Sequence, residues 1–107
     1  PEAEAWLTDI LAVVRENYEY LCQELCTTLP KIRISPMDGT YLAWIDFCAY
    51  VKAENMHDVF ENQCRIAPSF GEWFGGESYA TFVRLNLATS LENIKIATNS
   101  MIQHIHP

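Results

Sequence analysis

The sequence predicts a small two-layer α/β (α+β) domain, a short mixed sheet with helices packed on it. Three observations lead there. Apolar residues recur three and four apart over residues 3–28 and again over the last stretch of the chain, as on amphipathic helices. Between them lie short runs rich in β-branched and aromatic residues, TYLAWIDF (40–47) and FVRLNLA (82–88). Gly and Pro punctuate these runs, and nothing reads as a linker or repeat, so residues 1–107 are expected to form a single domain.

The first helix presents Leu7, Ile10, Leu11, Val14, Tyr18, Leu21, Cys22 and Leu25 along one side. Glu2, Glu4 and Asp9 suit the positive end of its dipole, and Thr27, Thr28 and Pro30 end it. A single stripe on so long a helix predicts packing along one side, with part of the helix docked elsewhere. Ile32–Ile34 is a short strand, and Ser35-Pro36-Met37-Asp38-Gly39 a turn. TYLAWIDF is apolar on both faces and reads as a central strand, with Trp44 in the core and Asp46 as its polar exception.

Residues 53–64 read as a helix with Met56, Val59, Phe60 and Cys64 on one face, and residues 66–68 as a brief strand. The stretch SFGEWFGGES (69–78) holds Gly71, Gly75 and Gly76, which predicts a shaped loop without regular structure. In FVRLNLA, period two sets Val83, Leu85 and Leu87 against Phe82, Arg84, Asn86 and Ala88. Thr89 and Glu92 make a capping box for a last helix that uses Leu91, Ile94, Ala97, Thr98, Met101 and Ile105.

Half of the residues are apolar and 20% charged, a globular composition. The net charge of −7 and the scattered bases exclude a nucleic-acid or anionic-membrane surface. No apolar run is long enough to span a bilayer, and no secretory signal is seen. The start at Pro1 rather than Met points to a processed or excised segment. Cys22, Cys26, Cys48 and Cys64 match no zinc spacing and are expected as buried thiols in a reducing cytoplasm.

Little of this carries chemistry. Arg84 either buries its stem and pairs with a nearby acid, or offers a planar fork to a ligand carboxylate. Asn86 shares its face and is expected to hydrogen-bond Arg84 or nearby backbone. Tyr41, at a strand start, reads first as core. Trp73 and Phe74 are candidates for a lid or a partner surface. His57, His104 and His106 lie at no spacing that makes a triad or a metal site. No phosphate-cradling loop and no nucleophile–base pair are present, so no catalytic residue and no metal ligand is assigned.

The runs SPMDGTYLAWIDF, IAPSFGEWFGGES and FVRLNLATSLENIKIATNSMIQHI resemble the C-terminal small domain of fold-type I pyridoxal-phosphate (PLP) enzymes. Within the class I/II aminotransferase family the resemblance is to the cystathionine β-lyase-like, or C–S lyase, branch, and it covers nearly the whole chain. It implies that Arg84 of the R-L-N strand grips the α-carboxylate of an amino-acid substrate, with Asn86 beside it. Tyr41 and Gly39 match the G-T-Y turn, which makes Tyr41 a further substrate-side candidate. The implied reaction of the parent is α,β-elimination from a β-thioether amino acid such as cystathionine or a cysteine derivative, giving pyruvate, ammonia and a thiol. An aminotransferase or a non-catalytic interaction domain of this fold are the alternatives.

The cofactor lysine of the family sits in an S-x-x-K context. Lys31, Lys52 and Lys95 lie in none. The resemblance therefore implies a C-terminal domain whose PLP is held by a larger domain of the same chain, in a homodimeric parent. The isolated chain would bind no PLP and be inactive. The loop carrying Trp73 is longer than the family's, which leaves the side-chain preference of the substrate open.

Overall fold

The computed structural model describes residues 2–35 and 41–106, with side chains from residue 8 onward. The expected turn at Pro36–Gly39, Gly39 included, lies outside the described residues. Helix α1 spans Glu2–Thr28 and is followed by strands β1 (Arg33–Ile34) and β2 (Leu42–Asp46). After two helical turns come β3 (Ser69–Phe70), the short helix α2 (Glu72–Gly75), a 3-10 turn (Gly76–Tyr79), β4 (Phe82–Asn86) and α3 (Leu91–His104). Among the described residues no helix is long and apolar enough to cross a membrane.

The strands form one sheet in the order β1-β2-β4-β3. Every pairing is antiparallel, where the sequence led us to expect a mixed sheet. A parallel pair needs a long crossover, and the links from β1 to β2 and from β3 to β4 are too short to supply one. The two-layer architecture and the long first helix are as expected.

The core lies between the sheet and the two long helices. Val14, Leu21 and Leu25 of α1 and Ile94 and Met101 of α3 close on Ala43, Ile45, Phe47, Val83 and Leu87. The α1 stripe contains one residue that the hydrophobic pattern passes over. Asn17 is fully buried, and its Nδ2 donates to the carbonyls of Leu87 at 2.8 Å and Thr89 at 2.7 Å. That amide ties α1 to the end of β4. Toward its N-terminus the helix leaves the core: Leu11 is 46% and Val13 39% exposed. Leu11 belongs to the predicted stripe, whereas Val13 lies off it.

Residues 53–64 are helical but not uniformly wound. A 3-10 turn (Ala53–Asn55) leads into a π-helix (Asp58–Gln63), with the Cys64 amide donating to the Val59 carbonyl at 2.8 Å. The wide winding brings Met56, Phe60 and Cys64 to one buried face. Arg65, at φ 58°, ends the segment. The next strand begins at Ser69 rather than at residues 66–68, where Pro68 has no amide to pair.

Three further expectations are corrected. The 69–78 stretch is a strand end followed by two tight helical turns, not an irregular loop. Gly76 takes φ +66° between those turns. The cap of α3 is Ser90, whose hydroxyl accepts from the Asn93 amide, one residue later than the expected box at Thr89. Thr89 instead accepts from the Asn93 side chain at 2.9 Å. Of the four thiols only Cys64 is buried; Cys22 is half-buried, and Cys26 and Cys48 are exposed, the first off the helix stripe and the second in the turn after β2.

The Asn17 tie generates a prediction. Asn17→Ala strands two carbonyls at the β4–α3 junction and is expected to lower stability by about 2 kcal/mol. A urea midpoint that falls at unchanged slope is the check, and an unmoved midpoint would show the amide to be dispensable.

Candidate functional site

Period two along β4 sends Val83 into the core and turns Phe82, Arg84 and Asn86 to the opposite face. β4 is flanked on both sides, by β2 and by β3, so its backbone is fixed by two ladders. The register sets Trp44 and Ser69 directly across from Arg84, on the same face. Trp44 is therefore half-buried on the outer face rather than in the core, a correction to its sequence reading. A strand flanked on both sides by apolar residues does not say which face meets the helices.

Arg84 is half-buried, and among the described residues it has no carboxylate partner. Its guanidinium carbon lies 4.3 Å from the centroid of the Phe74 ring and 5.8 Å from that of Trp44. The two rings meet edge to face at 87°, with centroids 5.8 Å apart. Such contacts hold the guanidinium against aromatic surface without using its N–H donors, so the fork remains available to a carboxylate.

Beside the guanidinium is an open hollow of about 450 Å3 lined by Ser35, Trp44, Phe74, Gly75, Tyr79 and Phe82. Its wall depends on a close approach: a Cβ on Gly75 would stand 1.9 Å from the Tyr79 ring. Tyr79 in turn packs on Phe82, centroids 5.3 Å apart. The aromatic residues flagged in the 69–78 stretch are largely exposed, Trp73 at 61% and Phe74 at 55%.

The other candidates stand apart. Asn86 shares the outer face, but its Oδ1 accepts from the Ala88 amide at 2.9 Å and caps the strand end. Tyr41 packs against the core cluster, and its carbonyl accepts from the Leu87 amide at 2.7 Å. Alternation places it on the face opposite Arg84. Asp46 is buried and accepts from Thr81 at 2.8 Å and from the Cys48 amide at 3.0 Å. The carboxylate beside it pushes the Cys48 thiol up from its ordinary pKa. Among the described residues no group of three His, Cys, Asp or Glu is placed to hold a metal ion.

The fold brings two contacts to this region that the sequence does not show. Phe74 was flagged as a loop aromatic but not as a partner of Arg84; nothing in linear spacing links the two. His57 was set aside. Its Nδ1 lies 2.8 Å from Glu61 Oε1, its Nε2 makes a second, short contact with Glu72 Oε1, and its ring stacks on Phe70 with centroids 3.9 Å apart. The hydrogen bonds to Glu61 and then to Glu72 raise its pKa above the ordinary value. A His with Glu four residues on was the available signal, and it showed only half of the contact.

No family model matches the chain. The chain is 28% identical over 93 residues to cystathionine β-lyase PatB of Bacillus subtilis (strain 168), a match covering 84% of this chain and 23% of that protein. The fold of cystalysin from Treponema denticola, which contains a pyridoxal 5'-phosphate cofactor, superposes with a TM-score of 0.88 at 26% identity, covering 96% of this chain and 26% of that one. An aminotransferase from Mycobacterium tuberculosis has the same fold at a TM-score of 0.83, with 23% identity over 96% of this chain and 27% of that one. The chain thus spans about a quarter of the length of the proteins it matches. In sequence and in fold alike, it is a relative of the PLP-dependent, cystathionine β-lyase-like enzymes.

Proposed function

We propose that residues 1–107 are the C-terminal small domain of a PLP-dependent C–S β-lyase, and that Arg84 receives the α-carboxylate of its substrate. The observation that carries this reading is a half-buried guanidinium on the doubly flanked strand β4, held by two aromatic rings and without a carboxylate partner among the described residues. Such a group has little reason to exist for stability alone and is well suited to a bidentate carboxylate. Asn86 fixes the end of the same strand, and Tyr41 packs against the core behind it.

The residues present do not fit the cofactor itself. Lys95 lies over the Tyr20 ring on the helical side, and Lys52 lines a hollow with His104 and His106; neither is beside Arg84. The PLP-bearing lysine would come from a larger domain of the same chain, in a homodimer. PLP held there would supply an electron sink.

This domain's own part is positional. Arg84 fixes the carboxylate, and with it the rotation of the substrate about Cα, so that the bond to be broken is correctly aligned. Trp44 and Phe74 shield the guanidinium from water and strengthen that grip. The aromatic hollow takes the part of the substrate beyond the β-carbon, for which a thioether is a suitably soft and polarisable group. The elimination would release pyruvate, ammonia and a thiol. The aminotransferase reading is favoured only by the shared fold, and the product assay separates the two. Cystathionine should yield pyruvate and ammonia without an added 2-oxo acid; a requirement for that acceptor would favour transfer.

Arg84→Lys in the full-length protein replaces a fork with a point charge. The loss of one charged hydrogen bond, about 1.5–3 kcal/mol, predicts a fall in kcat/KM of roughly tenfold to a hundredfold. Unchanged kcat/KM would remove the carboxylate role. The isolated chain mixed with PLP should develop no visible absorbance band of a lysine-bound cofactor and no lyase activity. A stable band would overturn the assignment of the lysine to another domain.

A further inference from the structure

We infer that His57 is a positioning residue for Arg84: bridging Glu61 and Glu72, it latches α2 to the preceding helical segment and so holds Phe74 over the guanidinium. The consequence for a ligand rests on the carboxylate reading of Arg84; the latch itself does not.

Both ring nitrogens of His57 face carboxylate oxygens, Nδ1 that of Glu61 and Nε2 that of Glu72. Ionised carboxylates only accept hydrogen bonds, and a neutral imidazole has a single N–H to donate. Both contacts are therefore satisfied together only in the imidazolium. Neutral His57 would set a lone pair against one of the two carboxylates. The charged groups facing the ring are Glu61 from its own helical segment and Glu72 from α2; β3 contributes the Phe70 ring and α2 the Trp73 ring, 6.1 Å away.

α2 joins the two ends of this arrangement. Glu72 and Trp73 turn toward His57 and Phe70, while Phe74 turns toward Trp44 and Arg84. The helix is a single turn with no buried residue, tied to the sheet at its entry by the Gly71 amide donating to Phe82 at 2.8 Å. A side-chain latch therefore has leverage over where Phe74 sits.

The sign follows from the proton count. Glu61 and Glu72 hold the His57 pKa up, so the latch is closed once the carboxylates are ionised and opens as pH rises through the raised His57 pKa.

The test uses the full-length protein with carbon-13-labelled histidine, the His57 resonance being assigned by its loss in His57→Gln. His57 should titrate above its ordinary 6.5, and Glu72→Gln should bring the titration down. Hydrogen–deuterium exchange of the peptide spanning 71–79 should be several-fold slower in wild type than in Glu72→Gln below the His57 titration, with the difference vanishing above it. A His57 titration at or below the ordinary value would overturn the latch. Equal exchange in the two proteins at every pH would do the same. Neither measurement involves substrate, so failure here leaves the Arg84→Lys result to stand or fall separately.

Discussion

The antiparallel pairing of β2 with β4 is the constraint on which the rest depends. Its register sets Trp44 opposite Arg84, and with that one pairing it decides both what is buried and what is offered. A slip by a single residue would turn Arg84 into the core and Val83 outward, because side chains alternate with period two. The slip is opposed from the core side, where Ile45, Val83 and Leu87 are fully buried, and by β3, which pairs Phe70 with Val83. Apolar burial on one face thus fixes a cation on the other. This is how a small domain can hold a fork rigidly without a dedicated network of hydrogen bonds around it.

The helical layer secures the same strand at its far end. Asn17 binds the carbonyls of Leu87 and Thr89, where β4 has ended and α3 has yet to begin, so α1 acts as a splint across the junction. The opposite face of the sheet is met by the turns that follow Gly71. Those turns are compact because Gly75 admits the Tyr79 ring and Gly76 adopts a left-handed φ. One side of the sheet is thereby committed to stability, and the other to a surface of aromatic rings around a charge.

The amphipathic period of α1 and α3, the alternation of FVRLNLA and the polar exception Asp46 could all be read before any coordinates, because each is a local pattern with its own physical cause. What escaped is what depends on pairing partners. TYLAWIDF is apolar on both faces, so nothing local says that Trp44 looks outward. Asn17 breaks the α1 stripe, and its value lies entirely in two carbonyls some seventy residues away. The glycines of 69–78 signal a departure from strand geometry but do not distinguish an irregular loop from tight helical turns. Arg84 and Phe74 are both singled out by the sequence, whereas their contact is seen only in the fold. The same holds for His57, whose second carboxylate, Glu72, lies beyond the reach of helical spacing.

An unpaired guanidinium at partial burial is not a neutral choice for a folding domain. Removing a cation from water without a counter-ion is unfavourable, and the faces of two aromatic rings offset only part of that cost. A leucine at position 84, packed on Trp44 and Phe74, would fill the same space with no desolvation penalty. The chain instead keeps the charge, with no carboxylate partner among the described residues, and sets two aromatic rings beside it. Rings beside the charge would strengthen a carboxylate contact made there, since Coulomb attraction grows as water is excluded. Among the described residues, then, the stability of the domain gives no reason for a cation at this point of β4.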